Sequence, residues 1–366
     1  MTAPSVEAPR RPPAATPPRT DQKQESANLD LLRSLALLWV LAVHLFGFLG
    51  VIPQGSSLMR VGQFGLRLFF VHTTLVLMRS LERRYRGEGW RDLFGNFLLR
   101  RCFRIYPLSV LIVLVTFAFR IPAANVGVWS IHHIAVGPGG LLANLLLVQN
   151  LTYTPSIVGQ MWSLPLEMQM YVLLPALFLL ARRATSVRPL LVLWVAAVGL
   201  AFVQPMISGR LSLGQFVPSF LPGIVAYRLA GTIRPRWPFV AWPLTLCALA
   251  AVFSLSLPEE HGWVLCLVTG LAIPRFKEPE QEWLRRGAQL VARYSYGIYL
   301  THLFALWLAF VRLAAFPMAG RWVVFLGMLI ALPVLLYHTL EAPMIASGAR
   351  LADRWFARRA SPAVAV

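Results

Sequence analysis

The feature that most constrains this chain is its row of long apolar runs, of which residues 29–51 are the first. A backbone crossing hydrocarbon must satisfy its own N–H and C=O groups, which leaves helices and closed barrels as the available structures. A run of about 20 apolar residues has the length of a bilayer-crossing helix, whereas a barrel strand needs roughly half of that. With 57% hydrophobic and 13% charged residues, the chain carries more apolar surface than a soluble core of this length takes up. The expected fold is therefore all-α, a polytopic bundle of membrane helices in a lipid bilayer.

Residues 1–28 hold six prolines among Ala, Thr, Gln and charges. That composition buries too little apolar area to offset the entropy of ordering, so it reads as a disordered cytoplasmic tail. The apolar run after it is too long for a signal-peptide core and starts too late. About ten transmembrane helices are expected: 29–51, 64–78, one from within the basic stretch to 119, 164–181, 190–207, 213–229, 239–257, 263–273, 288–310 and 322–340. The apolar stretch 141–151 is too brief to cross. The membrane region is thus 29–345, followed by a basic cytoplasmic tail over 346–366, with no soluble domain expected at either end. The formal net charge is +19. Such an excess suits nucleic acid, but here the basic residues lie between apolar runs, so no nucleic-acid partner is expected. With both termini cytoplasmic, 28 of the 34 Lys and Arg fall inside; the outer six are Arg60, Arg67, Arg120, Arg210, Arg312 and Arg321. That alternation is the positive-inside pattern.

Several runs carry residues that lipid does not tolerate. Arg33 and His44 share the first span, eleven positions apart. Eleven steps of ~100° return to within roughly 20°, and they rise about 16 Å. One helix face therefore presents a guanidinium near the inner surface and an imidazole towards the outer. Such a face turns to a protein interior or a watered cavity, for function or for helix packing. Arg101 and Arg104 lie one turn apart at the mouth of the third span, where planar forks suit a phosphate-bearing ligand from the cytoplasm as well as anionic lipid. Glu167 is an isolated acid near the outer start of its span. A histidine that takes up a proton commonly needs such a partner, and a helix N-terminus favours one in any case. Ser295, Tyr299 and His302 fall on one face of a later span, and His338 and Glu341 lie at the inner end of the last. His72, His132 and His133 have no metal-ligand spacing, so no metal is expected. The three cysteines, Cys102, Cys247 and Cys266, form no disulfide framework.

In this order, these segments resemble the acyltransferase 3 family of integral-membrane acyltransferases, over residues 29–343. The carriers are Arg33 and His44, Arg101-x-x-Arg104 with Ile105 and Pro107, Trp162-Ser163 with Glu167 and Tyr171, Tyr296-Gly297-Ile298-Tyr299-Leu300 ending at His302, and Glu341-x-Pro343. The resemblance implies transfer of an acyl group, acetyl first, from acetyl-CoA or another acyl-CoA to a hydroxyl of a carbohydrate or glycan. No permanently bound cofactor is implied. It makes His44 the catalytic residue and places Arg33, Arg101 and Arg104 on the donor side; Tyr299 and His302, which converge inside the bundle, are expected against the substrate, with interhelical hydrogen bonding as the other reading. The expected location is a bacterial inner (plasma) membrane. In the mechanism this suggests, His44 takes the hydroxyl proton with Glu167 as its partner; an acyl-histidine intermediate is the competing route. One departure stands out. Thr73-Thr74 replaces the family's usual Ser-Gly pair, and a bulkier, β-branched pair should narrow the close helix contact that Gly permits. The alternative function is a transporter or flippase holding an anionic lipid or glycan through the same arginines. Against it, no matching pair of Gly/Pro-broken helices is found in two halves.

Overall fold

The structure is a computed structural model, and it describes residues 26–53, 55–122, 124–125, 131–255, 258 and 260–356. Most of the expected proline-rich tail, residues 1–25, lies outside the described residues, as do 357–366. Twelve α-helices are described: α1 (Ala27–Phe48), α2 (Met59–Arg84), α3 (Trp90–Ala118), α4 (Pro138–Leu145), α5 (Leu164–Arg183), α6 (Arg188–Ile207), α7 (Leu213–Ala230), α8 (Ala241–Leu255), α9 (His261–Ala272), α10 (Glu282–Leu306), α11 (Met318–Leu336) and α12 (Ala342–Phe356). A 3₁₀ segment, Gly159–Ser163, leads into α5, while π-helical turns follow α10 (Trp307–Arg312) and α11 (Tyr337–Glu341). Two two-residue strands, Ala124–Asn125 and Ile131–His132, pair antiparallel in the long loop after α3.

Seven helical stretches are long and apolar enough to cross a membrane: α1, α2, α3, Gly159–Arg183, α6, Glu282–Arg312 and Met318–Phe356. The chain is a multi-pass helical membrane protein. The three other expected spans form helices that fall short of these criteria. The fifteen residues of α8 and twelve of α9 rise only ~22 and ~18 Å against ~30 Å of hydrocarbon. The eighteen residues of α7 include Gln215, Pro218, Pro222 and Arg228, which dilute its hydropathy. Yet every residue from Pro218 to Ala226 is buried, so α7 is buried on all sides, as an interior helix is. The stretch expected as a basic tail from residue 346 continues as a helix instead. Gly348 and Ala352 of α12 are buried in its packing against α3, and Asp353 pairs with Arg100 across that contact.

The first helix ends earlier than its apolar run. Gly50 adopts φ +73°, the Val51 N–H donates to the Phe46 carbonyl and the Gly50 N–H to that of Gly47. This left-handed cap closes the end groups of α1, a conformation that glycine adopts without a Cβ penalty.

At the centre of the bundle α2 packs against α1 and α7. The replaced Ser-Gly pair is explained there. Thr74 faces Gly223 of α7, where an added Cβ would lie 2.4 Å from the Val71 carbonyl oxygen and 2.8 Å from the Thr74 Cβ. The close contact expected to suffer from Thr74 is preserved, because the residue without a side chain sits on the opposing helix. On its other flank α1 packs on α10, and α10 on α11.

Candidate active site

Between α1, α2, α3, α5 and α10 lies a cavity of about 430 Å³, within the range of small-molecule sites. Each helix contributes one face at helical spacing. From α1 come Leu29, Asp30 and Arg33; from α2, Phe69, His72, Thr73, Val76, Arg79, Arg83 and Arg84; from α10, Gln289, Ala292, Arg293, Ser295, Tyr296 and Tyr299. Arg101 and Arg104 enter from α3, and Ser163, Glu167 and Tyr171 from the start and first turns of α5. Seven arginines thus face two carboxylates, Asp30 and Glu167. Arg83, Arg84 and Arg293 are exposed, whereas Arg33, Arg79, Arg101 and Arg104 are half-buried. The cavity therefore runs from a basic, solvent-facing mouth towards Ser163 and Tyr299.

The inner arginines are held in different ways. The Arg33 Nε donates to the Ser295 Oγ at 2.5 Å, and that hydroxyl donates to the Ala292 carbonyl at 2.7 Å. Arg101 Nε is buried with no hydrogen-bond partner among the described residues. Arg100, one position away, is turned from the cavity to Asn96 and Asp353. Glu167 accepts from the Tyr171 hydroxyl, one turn along α5, at 2.8 Å, and lies in the field of Arg33 and Arg104. Glu341 is 2% exposed, both its oxygens lack a hydrogen-bond partner among the described residues, and it too faces the charges of Arg104 and Arg33. Beside Asp30, Glu167 and Glu341 therefore offset part of the arginine charge, and neither has a hydrogen bond to a guanidinium among the described residues. What remains is a preorganised, positively charged pocket suited to a polyanion.

At the closed end, the Tyr299 hydroxyl donates to the Gln160 carbonyl at 2.6 Å and lies 3.0 Å from the Ser163 Oγ. One turn further along α10 is His302. Its Nε2 lies 3.3 Å from His44 Nδ1, and its Nδ1 is 2.7 Å from the Tyr299 carbonyl oxygen. The face of α1 that carries Arg33 and His44 thus meets α10 twice, at Ser295 and at His302.

A family model described as an acyltransferase domain matches residues 26–339, nearly the whole chain. The chain belongs to the acyltransferase 3 family. Among curated proteins, the "Regulator of hypoxia-inducible factor 1" of Caenorhabditis elegans is 26% identical over 175 residues, which cover 43% of this chain and 34% of that protein. The match thus spans about a third of that relative's length. No solved structure matches.

In this acyltransferase, Arg33, Arg101, Arg104, Glu167 and Tyr299 are brought to one cavity. His44 and His302 lie beyond its end, and His302 is 1% exposed. The expected partnership of His44 with Glu167 is not what the structure shows: among the described residues, His44 is hydrogen-bonded to His302 and Glu167 to Tyr171. The physical reason is helix position. The first turns of α5 deliver Glu167 at the level of Arg33 and Arg104, whereas His44 stands about 16 Å further along α1 than Arg33. His72 is a site residue that sequence reasoning passed over. It is 3% exposed, lines the cavity and leaves Nδ1 without a partner among the described residues. Its only sequence signal is an imidazole inside an apolar run, one position before the Thr73-Thr74 departure.

Proposed function

We propose that this protein moves an acyl group, acetyl first, from acyl-CoA to a hydroxyl of a carbohydrate or glycan. The observation that carries the proposal is the seven-arginine cavity, whose closed end at Tyr299 lies one helical turn from the His44–His302 pair. A coenzyme A donor has the chemistry such a cavity favours: several phosphate charges for the guanidinium forks, and a slim arm that carries the thioester inward. The basic stretch that joins α2 to α3 lies at the mouth and marks it as the cytoplasmic side under the positive-inside pattern, so the mouth opens where the donor is made. His44 then lies towards the opposite surface. It is half-buried as a residue, and its ring lies against that of His302.

In the reaction, the acceptor oxygen attacks the thioester carbonyl while its proton passes to His44. A C–O ester bond forms and the C–S bond breaks. The proton on His44 then goes to the departing thiolate, giving the free thiol and regenerating the neutral imidazole. General-base help of this kind is typically worth ~10² to 10⁴ in rate. Arg33, Arg101 and Arg104 bind the donor and orient it. Tyr299 closes the inner end beside the reacting groups.

The test is mass spectrometry of surface and secreted glycans from cells with the wild-type protein or with none. An acyl-mass increment present only with the protein supports the proposal and names the acceptor. No increment in any glycan or lipid fraction refutes it and moves the transporter reading ahead.

A further inference from the structure

His302 was expected against the substrate, yet it is buried to 1% exposure and lies behind His44, away from the cavity. The atoms it touches restrict where protons can sit. A carbonyl oxygen only accepts, so the 2.7 Å contact between His302 Nδ1 and the Tyr299 oxygen requires a proton on Nδ1. An imidazolium at this depth would be a cation without a counter-ion among the described residues, an arrangement membrane interiors disfavour. The ring is therefore neutral, and its Nε2 carries a lone pair. The 3.3 Å contact with His44 then has one consistent direction: His44 Nδ1–H donates to His302 Nε2, while the His44 ring also hydrogen-bonds the Val40 carbonyl one turn back on α1. Placing the proton of His44 on Nδ1 leaves its Nε2 as a lone pair.

We propose that His302 is a positioning residue that fixes the catalytic tautomer of His44, through a relay from the Tyr299 carbonyl to His302 and from His302 to the His44 Nδ1–H. A second-ring partner of this kind decides which nitrogen of a histidine is basic. The relay also stabilises the charged form of His44 during transfer, because Nδ1–H keeps its acceptor when Nε2 takes the hydroxyl proton. Both contacts come from neighbouring turns of one helix. The carbonyl is that of Tyr299, whose side chain closes the cavity, so donor closure and base orientation share a single residue. No carboxylate is needed at His44, which explains why Glu167 is free to serve the arginine cluster.

This inference rests on reading His44 as the base, and its first readout needs no turnover. Nitrogen-15 solid-state NMR of histidine-labelled protein in lipid bilayers reports the protonated ring nitrogen. His44→Gln and His302→Gln identify the two signals among the seven histidines. The wild type is expected to show both rings neutral with the proton on Nδ1. His302→Gln can donate its amide N–H to the Tyr299 carbonyl and accept from His44, so the His44 signal stays as it was. His302→Leu keeps the volume and loses the imidazole acceptor, leaving His44 the Val40 carbonyl alone, so the share of molecules with the His44 proton on Nε2 rises. Label from acetyl-CoA entering membrane glycan is expected to fall by roughly 10² or more in His302→Leu, with a smaller loss in His302→Gln and an unchanged KM for acetyl-CoA. A wild-type His44 carrying its proton on Nε2 overturns the proposal, as does His302→Leu matching His302→Gln in tautomer or rate. Absent transfer in the wild type, beside the expected NMR pattern, would instead overturn the acyl-CoA reading and leave the relay standing.

Discussion

The contact between Thr74 and Gly223 can be tested without knowing any substrate. In Gly223→Ala the new Cβ would lie 2.4 Å from the Val71 oxygen, 2.8 Å from the Leu75 nitrogen and 2.8 Å from the Thr74 Cβ, where ordinary contact begins at 3.4 Å. Two of these atoms are backbone, so no rotamer change relieves them. The helices α2 and α7 must separate locally by about 1 Å, the difference between 3.4 and 2.4 Å. A gap of that size forfeits a quarter to a half of each dispersion contact along the seam. Overpacking costs ~1–3 kcal/mol in general, and a clash with backbone places this one near ~3 kcal/mol. At ~2 °C per kcal/mol for a large chain, the melting midpoint should fall by roughly 5 °C. The assay is intrinsic tryptophan fluorescence on heating the protein in nanodiscs. Gly199→Ala on α6 is the control, because nothing lies within 4 Å of its Cβ position; it should be neutral or stabilising by up to ~1 kcal/mol. A Gly223→Ala variant melting with the wild type would refute the claim that Gly223 carries the close approach.

Arg104→Ala should weaken acetyl-CoA binding in nanodiscs by roughly 10- to 100-fold, since a charged hydrogen bond is worth ~1.5–3 kcal/mol. Arg100→Ala should leave it unchanged, because Arg100 is committed to Asn96 and Asp353; calorimetric titration of both variants checks this. His72→Leu removes a buried, unpartnered Nδ1 and should melt no lower than the wild type, with up to ~1 kcal/mol gained. Its KM for acetyl-CoA should rise several-fold if the ligand satisfies that nitrogen. The span count can be tested with single cysteines in a cysteine-free background. Glu280→Cys, exposed between α9 and α10, should react with an impermeant maleimide only from the cytoplasmic side, the side of Arg86→Cys; labelling from the side of Arg210→Cys would mean that α7, α8 and α9 do not all cross.

The periodic features were legible in the sequence because a helix turns them into a face. Arg33 and His44 do share one side of α1, and Arg101 and Arg104 do enter one cavity. The same reasoning could not say what that side meets. Contact of His44 with His302 depends on α1 lying against α10, a juxtaposition of residues more than 250 positions apart, and only packing decides it. Glu167 shows the limit from the other direction. An isolated acid and a histidine in need of a partner invite pairing, but the depth at which α5 begins sets Glu167 beside the arginines. The Thr73-Thr74 departure was visible, whereas its compensation at Gly223 was not, since nothing local to α7 marks that glycine as the partner of α2. Hydropathy alone also did not separate α7, α8 and α9 from the seven stretches long and apolar enough to cross. Burial on every side lets α7 be apolar without facing lipid, and α8 and α9 are too short to cross unaided.

The central claim is that a donor bound at the arginines passes its acyl group to an acceptor activated by His44. The most direct measurement follows both halves in one preparation: binding of acetyl-CoA, and entry of its labelled acetyl group into membrane glycan, for wild type and His44→Ala at matched levels in native membranes. The account predicts donor binding within about twofold of wild type and transfer lowered by ~10² or more. Transfer that persists in His44→Ala at the wild-type rate would contradict it.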